Sequence, residues 1–240
     1  MINYNKLFDE LFPINRSITG DGYRKSVKIL SKFIKFKIYK VKSGTKVFDW
    51  TVPKEWKIND AYLKNGSGKK IVDFKKNNLS IVNYSSPINK FIDFEDLKNH
   101  LFSIPKLPDA LPYITSYYEN NWGFCIPHNI KKKLKKGKYK AVIDSSFKNG
   151  NLEFGVKKIP GSTKKEFLIS SYLCHPSMAN NELSGPLVML GIYNYLKNFK
   201  NRKYNYIFLI NPETIGSICY LKKFGNSLKK NLIGGLVLTC

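Results

Sequence analysis

Two residues that can serve in hydrolytic chemistry each follow an apolar segment that the sequence predicts to be a buried strand. His175 follows Glu166–Leu173, a mostly apolar run. Glu213 follows Tyr204–Asn211, a second such run. Because ligands of an open α/β sheet bind beyond the carboxyl ends of its strands, we expect the two side chains to lie next to each other at one edge. An imidazole and a carboxylate placed in this way can belong to a metal-hydrolase centre.

The loop between His175 and the next helix adds polar groups to this edge. Its side chains include those of Asn180, Asn181, Glu182 and Ser184. The same region also permits an ordinary structural interpretation. A histidine after a strand is commonly a hydrogen-bonded surface residue, and the Pro212-Glu213 pair is typical of a helix start, where an acid interacts favourably with the helix dipole. Spacing alone leaves both interpretations open.

The elements that must position these residues alternate between strands and helices. From about Lys165 the sequence predicts strands at Glu166–Leu173, Tyr204–Asn211 and Leu232–Thr239, and helices at Ser184–Phe199 and from about Thr214. Ser184 is the predicted N-cap of its helix, and Pro186 is tolerated in the first turn. Near-continuous apolar strands that alternate with helices indicate a parallel or mixed sheet covered on both faces. The predicted fold class is therefore α/β.

The first two thirds of the chain are predicted to contain two different parts. The apolar spacing predicts core elements near the start, namely helices at Tyr4–Phe12 and about Gly22–Ile34 and a strand at Phe36–Val41. Later, Gly, Asn and Pro separate short apolar runs such as Lys70–Phe74, Ser80–Tyr84 and Lys140–Ile143. That pattern is typical of a β-rich unit. We therefore predict a core formed by residues 1–45 and 160–240, with a small β-rich domain, residues 46–159, inserted into it.

The formal net charge of +24 does not indicate a nucleic-acid partner. Arginine occurs only at positions 16, 24 and 202, so almost all of the positive charge is lysine. Proteins that read bases and phosphates favour arginine, whose planar group binds bidentately. The densest run, Lys131–Lys140, is most simply a solvated face, and a polyanion-binding patch is the alternative. For Arg16, a substrate-carboxylate contact, an ion pair and a capping role are all open.

The apolar runs and the cysteine spacing bear on membrane insertion, cellular location and the state of the thiols. No run of 18 apolar residues occurs, so no membrane-spanning helix is expected. Residues 1–12 lack the zones of a signal peptide, and we therefore expect a cytoplasmic protein. The cysteines have no CxxC spacing and are predicted to be reduced, buried thiols; they are Cys125, Cys174, Cys219 and Cys240. Cys174 and His175 are expected to point to opposite faces of a strand and not to act together.

Five stretches of the sequence carry a resemblance to a known family. They are LFPINRSITGDG, VFDWTVPKEW, TSYYENNWGFC, SYLCHPSMANNELSG and NPETIGSICYL. Together they resemble a bacterial family of aminopeptidase-like proteins, of the DUF4910 or DUF2172 type. That family is related to the co-catalytic zinc aminopeptidases and is often encoded near polysaccharide-biosynthesis genes. The resemblance covers nearly the whole chain. It implies a three-layer α/β/α zinc-peptidase-like core, zinc as the cofactor, and a small peptide or amide conjugate as the substrate.

The resemblance also implies roles for individual residues. His175 matches the first zinc-ligand histidine, and Glu213 matches the glutamate that acts as general base on metal-bound water. Asn181 stands where the related peptidases place a zinc-ligating, bridging aspartate, and Thr214 stands where they place a second, zinc-binding glutamate. A carboxylate offers two anionic oxygens, whereas an amide offers one neutral oxygen. A two-zinc site bridged by Asn181 is therefore not expected.

Further expectations concern whether the metal centre of this chain is complete and active. Glu182 is longer and could replace Asn181 if the loop shifted, but Asn181 is the predicted position. The chain ends on a predicted central strand, and the family's remaining acid and histidine ligands would lie beyond Cys240. We therefore expect a truncated chain with an incomplete metal site and no hydrolase activity of its own. A non-catalytic binding or scaffold protein with the peptidase fold is the alternative, and homo-oligomerisation is left open.

Overall fold

The computed structural model describes residues 2–239, and their contacts divide them into two units. The core unit contains the described residues up to Glu55 together with those from Asn149 onward. The insert unit is Trp56–Lys148. These boundaries differ from the predicted ones at residues 46 and 159, since both flanks of the predicted insert belong to the core unit.

Helices and strands alternate along the described residues. The helices are α1 (Tyr4–Leu11), α2 (Asp21–Leu30), α3 (Phe94–Leu97), α4 (His128–Lys131), α5 (Ser184–Asn198) and α6 (Ile215–Asn231). The strands are β1 (Lys37–Lys42), β2 (Lys46–Val47), β3 (Trp50–Thr51), β4 (Glu55–Lys64), β5 (Lys70–Asp73), β6 (Ile88–Asp93), β7 (Leu101–Phe102), β8 (Phe124–Cys125), β9 (Lys138–Lys148), β10 (Asn151–Ile159), β11 (Glu166–Tyr172), β12 (Asn205–Asn211) and β13 (Leu232–Leu238). Short 3-10 turns lie at Asn78–Ser80 and Lys98–His100.

A mixed five-stranded sheet, in the order β1-β10-β12-β11-β13, forms the centre of the core unit. β11 runs parallel to β12 and β13, whereas β10 is antiparallel to β1 and β12. The predicted mixed sheet is therefore confirmed. Residues 149–159 belong to the core rather than to the insert because β10 is hydrogen-bonded on both sides within this sheet.

Helices cover both faces of the core sheet. On one face, α1, α2 and α5 pack an apolar cluster onto Phe208 and Ile210 of β12. Gly155 of β10 is paired with Ile210, so its neighbour Phe154 points to the opposite face. There Phe154 meets Tyr220 of α6 edge to face, with ring centroids 5.9 Å apart. The predicted three-layer α/β/α class is therefore confirmed.

The two N-terminal helices form where the apolar spacing predicts them. α1 begins after Asn3, whose side chain accepts a hydrogen bond from the N–H of Lys6. α2 ends at Leu30, earlier than the predicted Ile34. The reason is that the N–H groups of Lys32 and Phe33 reach only three residues back, to the carbonyl oxygens of Ile29 and Leu30. Within residues 2–239, no helix is both long and apolar enough to cross a membrane.

The start of α5 differs from the prediction in one respect. Leu183 is its N-cap, and Ser184 is its first residue. The hydroxyl of Ser184 instead donates a 2.6 Å hydrogen bond to the carbonyl oxygen of Asn180. A Cβ added at Gly185 would lie 2.3 Å from the carbonyl oxygen of Leu238, so a glycine is what allows α5 to approach β13 this closely.

The insert unit contains a four-stranded sheet in the order β5-β4-β9-β6 and a parallel pair, β7-β8. Trp56 is buried at the start of this unit, where its Nε1–H donates a 2.9 Å hydrogen bond to the carbonyl oxygen of Ser85. The apolar run at Ser80–Tyr84 forms no extended strand and takes part only in isolated bridges, from Ile81 to Phe124 and from Asn83 to Thr115. Tyr84 has a φ of 68°, which lies outside the β region and ends extended pairing there.

The structure confirms the prediction of buried thiols for the three cysteines it describes. Cys125, Cys174 and Cys219 are free and buried, and Cys240 lies outside the described residues. Burial raises the pKa of Cys125 to about 12 and that of Cys219 to about 11. It raises the pKa of Cys174 well above the ordinary thiol value. Because the thiolate is the reactive form, these thiols are poor nucleophiles at neutral pH.

In a Cys240→Ser variant, the three remaining thiols are expected to react slowly with a disulfide reagent at pH 8 while the protein is folded. For Cys219, the raised pKa lowers the thiolate fraction by about a hundredfold relative to a free cysteine. The rate should therefore keep rising as the pH approaches 11 instead of levelling off near 9. Absorbance of the released thiol, with and without denaturant, measures the rate, and a fast phase in the folded protein would contradict the expectation.

Candidate functional site

The ends of β11 and β12 bring the two predicted hydrolytic residues together. In-register parallel pairing sets Tyr172 opposite Asn211 at the ends of the two strands. Just beyond, the N–H of Glu213 donates a 3.3 Å hydrogen bond to Sγ of Cys174. His175 and Glu213 lie side by side as a result, as the strand-end argument predicts.

The imidazole of His175 lies between two carboxylates. Its Nδ1 is 2.8 Å from Oε2 of Glu182, and its Nε2 is 3.2 Å from Oε2 of Glu213. The ring of Tyr172 packs edge-on against it, with centroids 5.6 Å apart. The side chain of Glu182 is fully buried, whereas that of Glu213 is 47% exposed. Solvent therefore reaches this centre from the Glu213 side.

Glu182, rather than Asn181, is the residue on the buried side of the imidazole. The chain turns sharply here, since Asn181 has extended angles (φ −70°, ψ 117°) and Glu182 has a φ of 112°. This turn directs the longer side chain inward. Asn181 is exposed, and its Oδ1 accepts a 3.1 Å hydrogen bond from the hydroxyl of Tyr172. Glu182 thus lies next to His175, while Asn181 as the metal ligand stays a prediction.

Arg16 closes the buried side of the centre. Its Nε–H donates a 2.8 Å hydrogen bond to the carbonyl oxygen of His175, and its Nη1 donates a 2.7 Å bond to the carbonyl oxygen of Leu11. Nε also lies 3.6 Å from Oε1 of Glu182, and both of these side chains are 0% exposed. The structure shows the ion pair and the capping role, since Leu11 is the last residue of α1. A side chain buried this deeply does not reach a substrate carboxylate.

At this centre, charged neighbours shift the pKa values of His175 and Arg16 in the direction opposite to that of burial. Burial lowers the pKa of His175, but Glu182, Glu213 and Asn181 together outweigh it, so that the pKa lies above its ordinary value. Burial also lowers the pKa of Arg16, and the Glu182 carboxylate counters this effect. Arginine nevertheless keeps its charge in proteins. The centre thus holds a permanent cation next to a buried carboxylate.

Three residues form a group of ligand-type atoms at the same place. Sγ of Cys174, a ring nitrogen of His175 and a carboxylate oxygen of Glu182 lie within 4.8 Å of one another. The expectation that Cys174 and His175 point apart is therefore wrong. β11 ends at Tyr172, so the alternation of side chains along a strand does not extend to these residues.

These described residues do not provide the ligand set of a tight zinc site. Such sites supply three or four protein ligands. Cys174 is fully buried, and the N–H of Glu213 already donates a hydrogen bond to its sulfur. Glu182 already faces the charge of Arg16 at 3.6 Å, and a divalent ion beside it would be repelled by that charge. His175 and Glu213 remain as a pair of ligand-type groups, which is fewer than zinc requires.

Reasoning from the sequence finds His175 and Glu213 and misses the roles of Arg16 and Glu182. One signal was available for the arginine. In a chain whose positive charge is almost all lysine, an arginine in the short turn between two predicted helices indicates a need for several donors in fixed directions, which lysine does not offer. For Glu182 no such signal exists, because its inward direction depends on the turn at residues 181 and 182.

Comparisons with known proteins find relatives of this chain both in sequence and in structure. Residues 5–240 match the model of a domain of unknown function, DUF4910. A Clostridium acetobutylicum protein, named for polysaccharide biosynthesis and an aminopeptidase-like domain, is 50% identical over 237 residues, which are 99% of this chain and 54% of that protein. The crystal structure of a Clostridium acetobutylicum protein described as a peptidase has a TM-score of 0.92 at 49% identity and covers 98% of this chain and 55% of its own. The chain therefore spans about half the length of these relatives.

More distant structures share the fold. A zinc aminopeptidase from Bacillus subtilis has a TM-score of 0.62 at 12% identity and covers 98% of this chain and 67% of its own. A peptidase M28 precursor from Shewanella amazonensis has a TM-score of 0.61 at 10% identity and covers 96% of this chain and 68% of its own. At such identities the likeness shows the fold alone. With the fold of a zinc aminopeptidase and a family match over nearly its whole length, the chain belongs to the DUF4910 family.

Proposed function

We propose that the complete protein is a hydrolase of the zinc-aminopeptidase type that cleaves a peptide or another amide bond, and that this chain carries part of its centre. The observation that carries the proposal is the 3.2 Å contact between Nε2 of His175 and Oε2 of Glu213 at adjacent strand ends. It is supported by the fold, which a zinc aminopeptidase shares, and by the relative named for an aminopeptidase-like domain.

Glu213 is the proposed general base. Its carboxylate is partly exposed and can take a proton from an attacking water and pass it to the leaving amine. The hydrogen bond from its N–H to Cys174 fixes the backbone, and α6 begins two residues later. His175 and Asn181 are the proposed metal-binding positions of the complete centre, with Asn181 as a weak, neutral contributor.

The chain of 240 residues is proposed to be inactive by itself. Zinc is the metal that we propose for complete members, because a zinc aminopeptidase shares the fold. The described residues of this chain nevertheless do not hold it tightly, for the reasons of charge and ligand number given above. The proposed substrate is a small cytoplasmic peptide or amide conjugate, and the name of the Clostridium relative supports a link to polysaccharide synthesis. No nucleic-acid or membrane partner is proposed.

After purification with zinc and extensive dialysis, the chain is expected to retain well under one zinc ion per molecule. It is also expected to release no amine from an amino-acid p-nitroanilide. The physical reason is that His175 and the neutral side chain of Asn181 supply fewer ligands than the three or four of a stable zinc site. Elemental analysis by mass spectrometry measures the metal, and absorbance of nitroaniline measures hydrolysis.

The matched control for this measurement is His175→Ala, compared with His128→Ala in the insert unit. Neither substitution should change the retained metal if the chain does not hold zinc. Near-stoichiometric zinc that survives dialysis and is lost only on His175→Ala would contradict the proposed inactivity. The same result would show that the chain completes its ligand set in another way.

A non-catalytic binding protein with the peptidase fold is the second candidate. The observation that favours it is the buried contact of Arg16 with Glu182, which places a fixed positive charge beside the ligand-type atoms of this centre. A peptide that shifts the imidazole resonances of His175 in NMR spectra and is recovered uncut would favour this candidate. Cleavage of that peptide by the same sample would favour the hydrolase.

A further inference from the structure

Arg16 is held by groups from three different parts of the core unit. It donates to the carbonyl oxygens of Leu11 at the end of α1 and of His175 beyond β11. Its Nη1 also lies 3.4 Å from Oγ of Ser26 in α2. Because the guanidinium is planar and its donors are fixed in direction, these contacts fix its position closely. Its location next to Glu182 is therefore a property of the fold and not of a mobile side chain.

The backbone that carries Arg16 is also tightly fitted. A Cβ added at Gly22, in the first turn of α2, would lie 1.9 Å from the carbonyl oxygen of Asn15. The first turn of α2 therefore packs directly against the residue before Arg16, and no other side chain fits there without a shift. This close approach gives the arginine a rigid base.

Glu182 is the second half of the arrangement. Its side chain is fully buried, and its carboxylate contacts Arg16 at 3.6 Å and His175 at 2.8 Å. Its φ of 112° is strained for a residue with a side chain and persists only where the surroundings enforce it. A buried carboxylate without a cation would be costlier still. The contacts with Arg16 and His175 are therefore what stabilise this turn.

We propose that Arg16 is the resident cation of this centre: it holds the Glu182 carboxylate and the His175 loop in place, and it keeps divalent metal ions away from the buried side of the imidazole, where Glu182 contacts Nδ1 of His175. Arg16 is thus a positioning residue that takes no part in chemistry. The inference rests on the geometry of the buried pair and holds whether or not the complete protein hydrolyses amides.

The test compares the metal affinity of Arg16→Met with that of the unaltered chain, using Co²⁺ alone as the probe. Loss of the guanidinium charge a few ångströms from the ligand group is expected to tighten Co²⁺ binding at least about tenfold. Absorption of the bound ion and equilibrium dialysis both report the dissociation constant. Arg16→Lys keeps the charge, so it should bind Co²⁺ as weakly as the unaltered chain. A role in packing alone predicts no such difference between methionine and lysine.

Several results of these measurements would overturn the proposal. Equal Co²⁺ affinity of Arg16→Met and the unaltered chain, or equal gains for methionine and lysine, would overturn the proposal. If Arg16→Met does not fold, Arg16→Met/Glu182→Gln removes both charges and is expected to recover a folded protein. Failure of this double variant, with Glu182→Gln folded, would overturn the proposal as well. Tight zinc binding by the unaltered chain would refute its proposed inactivity, but the resident-cation proposal is decided by the variants' relative affinities for Co²⁺.

Discussion

Phe208→Ala is expected to lower the free energy of unfolding of the core unit by about 3–5 kcal/mol. Phe208 lies in the middle of β12, is 0% exposed, and packs against Tyr193 of α5 with ring centroids 5.2 Å apart. β12 is paired on both sides, by β10 and β11, so the backbone there has little freedom to close the cavity. The loss therefore combines the transfer free energy of the ring with the cost of a cavity that stays open.

Tyr195→Ala is the matched control for this substitution. It removes an aromatic side chain of similar size from α5, but that side chain is 70% exposed. Its removal should cost less than about 1 kcal/mol, as is usual for surface positions. Urea denaturation followed by circular dichroism measures both variants. Equal losses for Phe208→Ala and Tyr195→Ala would show that the apolar cluster on this face is not the main source of stability.

The strands of the core could be predicted because their burial on both faces requires nearly continuous apolar residues. The runs at Glu166–Leu173 and Tyr204–Asn211 are long enough and apolar enough for only one interpretation in an α/β protein. Each differs from the observed strand, β11 or β12, by a single residue. The parallel pairing of these two strands then places the residues that follow them at a common edge.

The assignment of β10 to the core could not be predicted. Its residues include Glu153 and the adjacent Lys157 and Lys158, which are mixed with apolar residues and give no regular alternation. Which sheet such a strand joins depends on pairing with distant segments, here β1 and β12. Local pattern carries no information about that choice, and the predicted insert therefore included residues 149–159, which belong to the core unit.

The candidate site also contains residues whose positions the sequence predicts and residues whose positions it does not. The positions of His175 and Glu213 follow from the strand-end rule, which needs only the order of the elements. The contact between Arg16 and His175 joins residues 159 positions apart, and it depends on how α1 and α2 pack on the sheet. The inward direction of Glu182 depends on a positive φ that a glutamate rarely adopts. Tertiary packing decides both, and neither leaves a trace in local spacing.

Arg24→Met is expected to lower the free energy of unfolding by about 3 kcal/mol, because it leaves the Glu55 carboxylate buried without its cation. Nη1 and Nη2 of Arg24 donate to the two oxygens of Glu55 at 2.7 and 2.8 Å, and this contact raises the pKa of the arginine. Oε1 of Glu55 also accepts the N–H of Asn151 at 2.8 Å, so the carboxylate joins α2 to the start of β10. The arginine side chain is 29% exposed, and its partial screening keeps the expected loss at the lower end for a buried pair.

An exposed ion pair of the same unit provides the control for Arg24→Met. Lys32 lies 3.3 Å from Glu10 with both side chains exposed, so Lys32→Met should change the free energy of unfolding by less than about 0.5 kcal/mol. In Arg24→Met/Glu55→Gln the buried charge is gone, but the amide oxygen can still accept the N–H of Asn151. This double variant should therefore regain part of the loss, and a double variant no more stable than Arg24→Met would show that the arginine acts through packing and not through the Glu55 charge.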